Sequence, residues 1–77
     1  MATVMQPKRT TTSVAKVIEL TAESSESFED AIQHGIAKAT ETVHGIRSAW
    51  VDGQQVKVQD GKVVAYRVDL KLTFLLD

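Results

Sequence analysis

The fifteen residues from Lys62 to Leu76 alternate in polarity along their length, and this run limits the fold more than any other feature of the chain. Lys62, Val64, Tyr66, Val68, Leu70, Leu72, Phe74 and Leu76 share one side of an extended strand. Val63, Ala65, Arg67, Asp69, Lys71, Thr73 and Leu75 share the other. Successive side chains of a strand point to opposite faces, so one face is expected to be apolar and the other polar in its middle. Such a strand spans roughly 50 Å at about 3.3 Å per residue.

Immediately upstream, Asp60-Gly61 carries the signature of a two-residue hairpin turn, whose central positions both need positive φ. The partner strand reads from about Ile46 to Gln59, with Gly53 marking a bulge or a close backbone contact. Before it the period changes. Phe28, Ala31, Ile32, Gly35, Ile36, Ala39 and Val43 recur at helical spacing and form one stripe. Gly35 and the alanines keep that stripe thin, so the helix is expected to sit close to a sheet. Ser24 is expected to be the N-cap, with Glu26, Glu29 and Asp30 complementing the positive end of the helix dipole. His44 suits the negative end, and Gly45 reads as the stop. A shorter strand, about Ser13 to Thr21, precedes the helix. The expected fold class is α+β, a β-α-β-β unit. Residues 1–12, with Pro7, Lys8, Arg9 and three consecutive threonines, show no period and are expected to be a mobile tail before a domain at 13–77.

Length then decides about partners. A helix of about eighteen residues spans only about 27 Å, so it cannot cover the apolar face of the long strand. The rest of that face is expected to meet another subunit. Chain size agrees, because a domain of 77 residues buries only about 60% of its unfolded surface and needs a further source of stability. The chain has no cysteine, which removes disulfides and thiolate metal sites and leaves oligomerisation. Nine basic and ten acidic residues give a net charge of −1, which does not suit nucleic acid. No 18-residue apolar run and no signal-peptide core appear, so a cytoplasmic protein without membrane contact is expected.

A two-residue turn at Asp60-Gly61 sets Trp50 opposite Lys71 and Gln54 opposite Arg67, on the face away from the helix. Trp50 is the chain's one tryptophan. It is either a stacking surface for a planar ligand or an anchor between subunits, and the residues leave both open. Arg67 and Lys71 suit a phosphate or carboxylate, or an ion-pair ladder between subunits. The acidic group Glu23, Glu26, Glu29 and Asp30 reads as a dipole-complementing first turn. His34 and His44 lie ten residues apart and do not read as a metal pair. With no Ser/His/Asp grouping and no Gly-rich phosphate loop, an enzyme is not expected.

Several stretches, in this order, resemble the dodecins. They are Lys16-Val17-Ile18-Glu19-Leu20, Ser24 to Phe28 with Ala31-Ile32, Thr42-Val43, and Tyr66-Arg67-Val68 running to Thr73-Phe74. The resemblance covers nearly everything from Ser13 onward. It implies a three-stranded antiparallel sheet wrapping one helix and a hollow homododecamer. It also implies storage of a flavin, FMN or riboflavin, stacked in pairs between tryptophans of symmetry-related subunits. Typical members carry glutamine after the aromatic residue of the last strand, and their stacking tryptophan lies nineteen positions earlier. Here those positions hold Arg67 and Ser48, and Trp50 lies two residues further on, about 6.6 Å along the strand. A smaller branch of the family also carries arginine there, lacks the tryptophan and is linked to calcium. The alternative expectation is therefore a flavin-free assembly that binds calcium or anions, or serves a structural role. The ligand-facing residues expected on this basis are Trp50, Arg67, Ser48, Gln54 and Lys57.

Overall fold

A computed structural model describes residues 13–76, so the expected tail lies outside the described residues. The elements follow in the order β1 (Val14–Ser24), α1 (Phe28–Thr40), β2 (Ile46–Gln59) and β3 (Lys62–Leu76). They form a three-stranded antiparallel sheet in the order β1-β3-β2, with the helix on one face. The strand with the longest alternation thus takes the centre, where its backbone is paired on both sides. Asp60 and Gly61 have φ of 53° and 77°, the double positive φ that the turn requires.

β1 runs three residues beyond the expected end at Thr21, because Ala22, Glu23 and Ser24 continue its pairing with Val68, Arg67 and Tyr66. Ser24 is therefore not the N-cap. Ser27 is, and its hydroxyl accepts from the Asp30 backbone N–H at 2.9 Å. Ser24 Oγ instead accepts from the Glu26 backbone N–H at 2.9 Å and donates to Asp30 Oδ2 at 2.6 Å, which fixes the connection into the helix. The helix is thirteen residues long, shorter than its apolar stripe suggests. The Thr42 and Val43 N–H groups both turn back to the Ala39 carbonyl, at 3.1 and 2.9 Å, and close it early. Gly45, with φ of 78°, turns the chain into β2 rather than capping α1.

The core lies between α1 and the middle of β3. Val68, Leu70 and Leu72 are fully buried there against Ala31 and Ala39. Ile18, Leu20, Phe28, Ile32, Ile36, Ile46 and Val51 close the sides. The thin helix face acts as expected, since a Cβ on Gly35 would lie 3.1 Å from both Ala22 Cβ and Leu70 Cδ1. At the N-terminal end of α1, Phe28 meets Tyr66 edge to face with ring centroids 5.2 Å apart.

Three irregularities shift the β2–β3 register, between Lys57 and Val58, Val51 and Gly53, and Ile46 and Ser48. Val64 is the extra residue of the first, and Asp52 and Arg47 are those of the other two. Between the first two, Gln55 pairs with Arg67 and Gln54 pairs with Val68. A one-residue shift moves side chains to the opposite face. Gln54 is therefore on the helix side, which corrects its expected place opposite Arg67. Val63 pairs with Val58 and likewise joins the helix side, against the plain alternation. α1, only about 20 Å long, ends near Tyr66 and leaves the far part of the hairpin uncovered. Val56, Val58, Val63 and Val64 are all exposed there.

Candidate functional site

The sheet face away from α1 is a polar field laid out by strand pairing. Its central row is Arg67, Asp69, Lys71 and Thr73 of β3. Glu23, Thr21, Glu19 and Val17 of β1 flank it on one side. Gln55, Gly53, Trp50 and Ser48 of β2 flank it on the other. Most charges in the field have partners. Thr21 Oγ1 donates to Asp69 Oδ1 at 3.0 Å, Lys57 Nζ lies 3.5 Å from Glu23, and Lys71 Nζ lies 3.9 Å from Asp52. Gly53 lies close beside Asp69, and a Cβ there would sit 3.2 Å from Asp69 Oδ2, a tight contact that the carboxylate would have to relieve by shifting.

Two side chains differ from this paired background. Trp50 is 63% exposed, and the Lys71 ammonium lies 5.1 Å from its ring centroid. Arg67 has a buried Nε with no hydrogen-bond partner. Its cross-strand neighbour Glu23 is engaged by Lys57 instead. A buried donor left unpaired costs about 1–3 kcal/mol, so an acceptor that reached it would be bound with some preference.

Of the expected ligand-facing residues, Trp50, Ser48, Lys57 and Arg67 share this face, and Gln54 does not. Trp50 lies opposite Lys71, four residues along β3 from Arg67, so the indole and the guanidinium are about 13 Å apart along the strand. They form two ends of a surface and not one contact. The residue that the sequence reading missed is Gln55, which replaces Gln54 beside Arg67; Asp52, expected to flank Trp50, lies 3.9 Å from the Lys71 ammonium. Gly53 was the available signal for the bulge that presents Asp52. Glu19, Asp52 and Asp69 also line a recess of about 240 Å³ beside Lys71. Among the described residues, no group of three or more metal-type ligands converges. His34 Nδ1 faces its own helix, 3.3 Å from Asp30 Oδ2. The arrangement offers an aromatic face, a cationic end at Arg67 and Lys57, and a carboxylate-lined recess.

Residues 14–77 match the family model described as Dodecin. Among solved structures, a dodecin from Streptomyces coelicolor is similar at 25% identity and a TM-score of 0.80, over 84% of this chain and 93% of that one. A dodecin variant from Thermus thermophilus is similar at 30% identity and a TM-score of 0.80, over 86% and 98%. The calcium-chelating immunodominant antigen calcium dodecin from Mycobacterium tuberculosis, with a novel calcium-binding site, is similar at 34% identity and a TM-score of 0.72, over 83% and 91%. No curated protein sequence matches the chain.

Proposed function

The chain belongs to the dodecin family, and from that premise we propose that it is a subunit of a closed homo-oligomer, a dodecamer by family resemblance, that stores a small planar ligand in the cytoplasm. The ligand is a flavin, FMN or riboflavin, stacked on Trp50. The observation that carries this reading is an indole 63% exposed on a sheet face whose other side holds the core. A side chain of that size left in water supports an unfilled contact, because aromatic stacking adds about 0.5–1.5 kcal/mol beyond area burial. Arg67 donates hydrogen bonds and cannot accept, so it suits a phosphate or a carbonyl edge and not a ring N–H.

Calcium is the second reading. Glu19, Asp52 and Asp69 line one recess, and oxygen donors are the ligands calcium takes. The mycobacterial relative is a calcium dodecin. Against this, Asp69 is bonded to Thr21 and Asp52 is paired with Lys71.

Titration of the purified oligomer with FMN, riboflavin and calcium chloride, followed by Trp50 fluorescence, tests the reading. Saturable quenching by either flavin supports it. A response to calcium with none to millimolar flavin replaces it with the second reading.

A further inference from the structure

One cation of the polar sheet face has no counter-ion, and the ion pair beside it is strung across the sheet. Arg67 sits in the central strand between Glu23 of β1 and Gln55 of β2. Among the described residues its guanidinium enters no ion pair, and its buried Nε has no hydrogen-bond partner. Lys57 and Glu23 stand on opposite edge strands, so their contact of 3.5 Å bridges β3. Lys57 is paired with Ala65 and Glu23 with Arg67, so the lysine leans back along the sheet into the arginine's row. Ala65 allows that crossing, since a larger side chain there would stand in the lysine's way.

Negative charge is shared unevenly in that row. Glu23 pairs with Lys57 alone, although Arg67 is its direct cross-strand neighbour. Asp69, next along β3 on the same face, accepts from Thr21 Oγ1 at 3.0 Å and lies one step nearer Trp50. The Lys57–Glu23 pair is loosely held. Its side chains are 58% and 41% exposed, and exposed pairs contribute little to stability. A doubly charged oxyanion that reaches this row can take Lys57 from a singly charged carboxylate and turn Glu23 out into water. It meets the unpaired Arg67 donor in the same step, and hydrogen bonds from guanidinium to phosphate are among the strong ones. The Gln55 amide, across from Arg67, offers a further donor.

We propose that Arg67, Lys57 and Gln55 form a subsite for a phosphomonoester carried by the stacked ligand, with Glu23 as the resident carboxylate that the phosphate displaces. This rests on the reading of Trp50 as the stacking surface and narrows it to a phosphorylated ligand. The two ends lie about 13 Å apart along the strand. In FMN a chain of bonds of about 1.5 Å separates the ring from phosphorus, a reach of roughly 9 Å when extended. The half-width of the ring and the length of the arginine side chain cover the remainder. Riboflavin has the same ring and chain but ends in a hydroxyl, which leaves Glu23 in place and the Arg67 donor unpaired. The subsite thus selects between two ligands at a point distant from the ring.

Fluorescence titrations of the wild-type protein with FMN and with riboflavin, at low salt, test the subsite through the ratio of the two affinities. FMN is expected to bind about tenfold more tightly, the size of one charge-assisted hydrogen bond. Arg67→Gln is expected to bring the ratio close to one, and Glu23→Gln to raise it severalfold by freeing Lys57. Equal affinities in the wild type, or an unchanged ratio in Arg67→Gln at unchanged light-scattering mass, overturn the subsite. Should Arg67→Gln alter the mass, Glu23→Gln decides, because that side chain is exposed, and a ratio that does not rise counts against the proposal. If neither flavin quenches Trp50, the stacking reading fails and inorganic phosphate tests the subsite alone. Saturable broadening of its phosphorus NMR resonance by the wild type, lost in Lys57→Gln, keeps the subsite without the flavin, and no broadening removes it.

Discussion

The Lys71 ammonium lies 5.1 Å from the centroid of the Trp50 ring and 3.9 Å from Asp52 Oδ2. Lys71 belongs to the central strand and Trp50 to an edge strand, so the cation approaches the indole from within the sheet. Plain alternation already sets position 52 on the face of Trp50, and the extra residue there leaves the Asp52 carboxylate 3.9 Å from the ammonium. The chain therefore supplies its own occupant for one face of its most exposed aromatic ring.

That arrangement makes Lys71 a competitor for a neutral stacking ligand. An exposed cation–π contact is worth about 0.5–1 kcal/mol. Lys71→Gln is accordingly expected to tighten riboflavin binding by about two- to fivefold, since 1.4 kcal/mol corresponds to tenfold. Fluorescence titration of variant and wild type reads the change. Weaker binding in the variant would mean that Lys71 contacts the ligand and does not compete with it.

Trp50→Ala separates the stacking role from an anchoring one. Loss of riboflavin binding, followed by the flavin's own fluorescence, with the light-scattering mass unchanged, is the expected result. Dissociation into smaller species would instead make Trp50 an assembly anchor, and the ligand assignment would fall.

Ser27→Ala removes the hydroxyl that accepts from the Asp30 N–H at 2.9 Å. The loss of an N-cap costs about 1 kcal/mol, within a range of about 0.5–2. Urea unfolding should show it, at one protein concentration for all variants because association shifts the midpoint. Ser27→Asp, which keeps an acceptor beside the positive helix end, is expected to restore most of the loss.

The same connection shows what could be read from the residues and what could not. Alternation from Tyr66 to Leu76 and the Asp60-Gly61 turn are local patterns, and each leads directly to its element. Ser24 and Ser27 both look like caps, and only the long-range pairing of Ser24 with Tyr66 decides between them. Gln54 failed for a related reason. Bulges at Asp52 and Val64 each insert one residue, and a pairing rule counted from the turn cannot see the second. Gly53 announced an irregularity, but its consequence depends on the Asp69 carboxylate packed beside it from another strand. Trp50 opposite Lys71 survives because the two shifts cancel by the time the register reaches it.

Gly35 sets two effects of known size against each other. Replacing a helical glycine with alanine normally stabilises by about 0.8–1 kcal/mol, through backbone entropy. Here the new Cβ would lie 3.1 Å from Ala22 Cβ, 3.1 Å from Leu70 Cδ1 and 3.3 Å from Leu20 Cδ1. Ala22 Cβ can retreat only if its strand moves. Leu70 is 1% exposed and has little free space into which to turn. Overpacking a tight core costs about 1–3 kcal/mol, which exceeds the propensity gain. Gly35→Ala is therefore expected to lower stability by about 1 kcal/mol, and Gly35→Val, larger and β-branched, by more. Urea midpoints at fixed protein concentration order the three proteins. A raised midpoint for Gly35→Ala would mean that α1 lifts off β1 freely, so that the close approach at Gly35 does not hold the helix to the sheet.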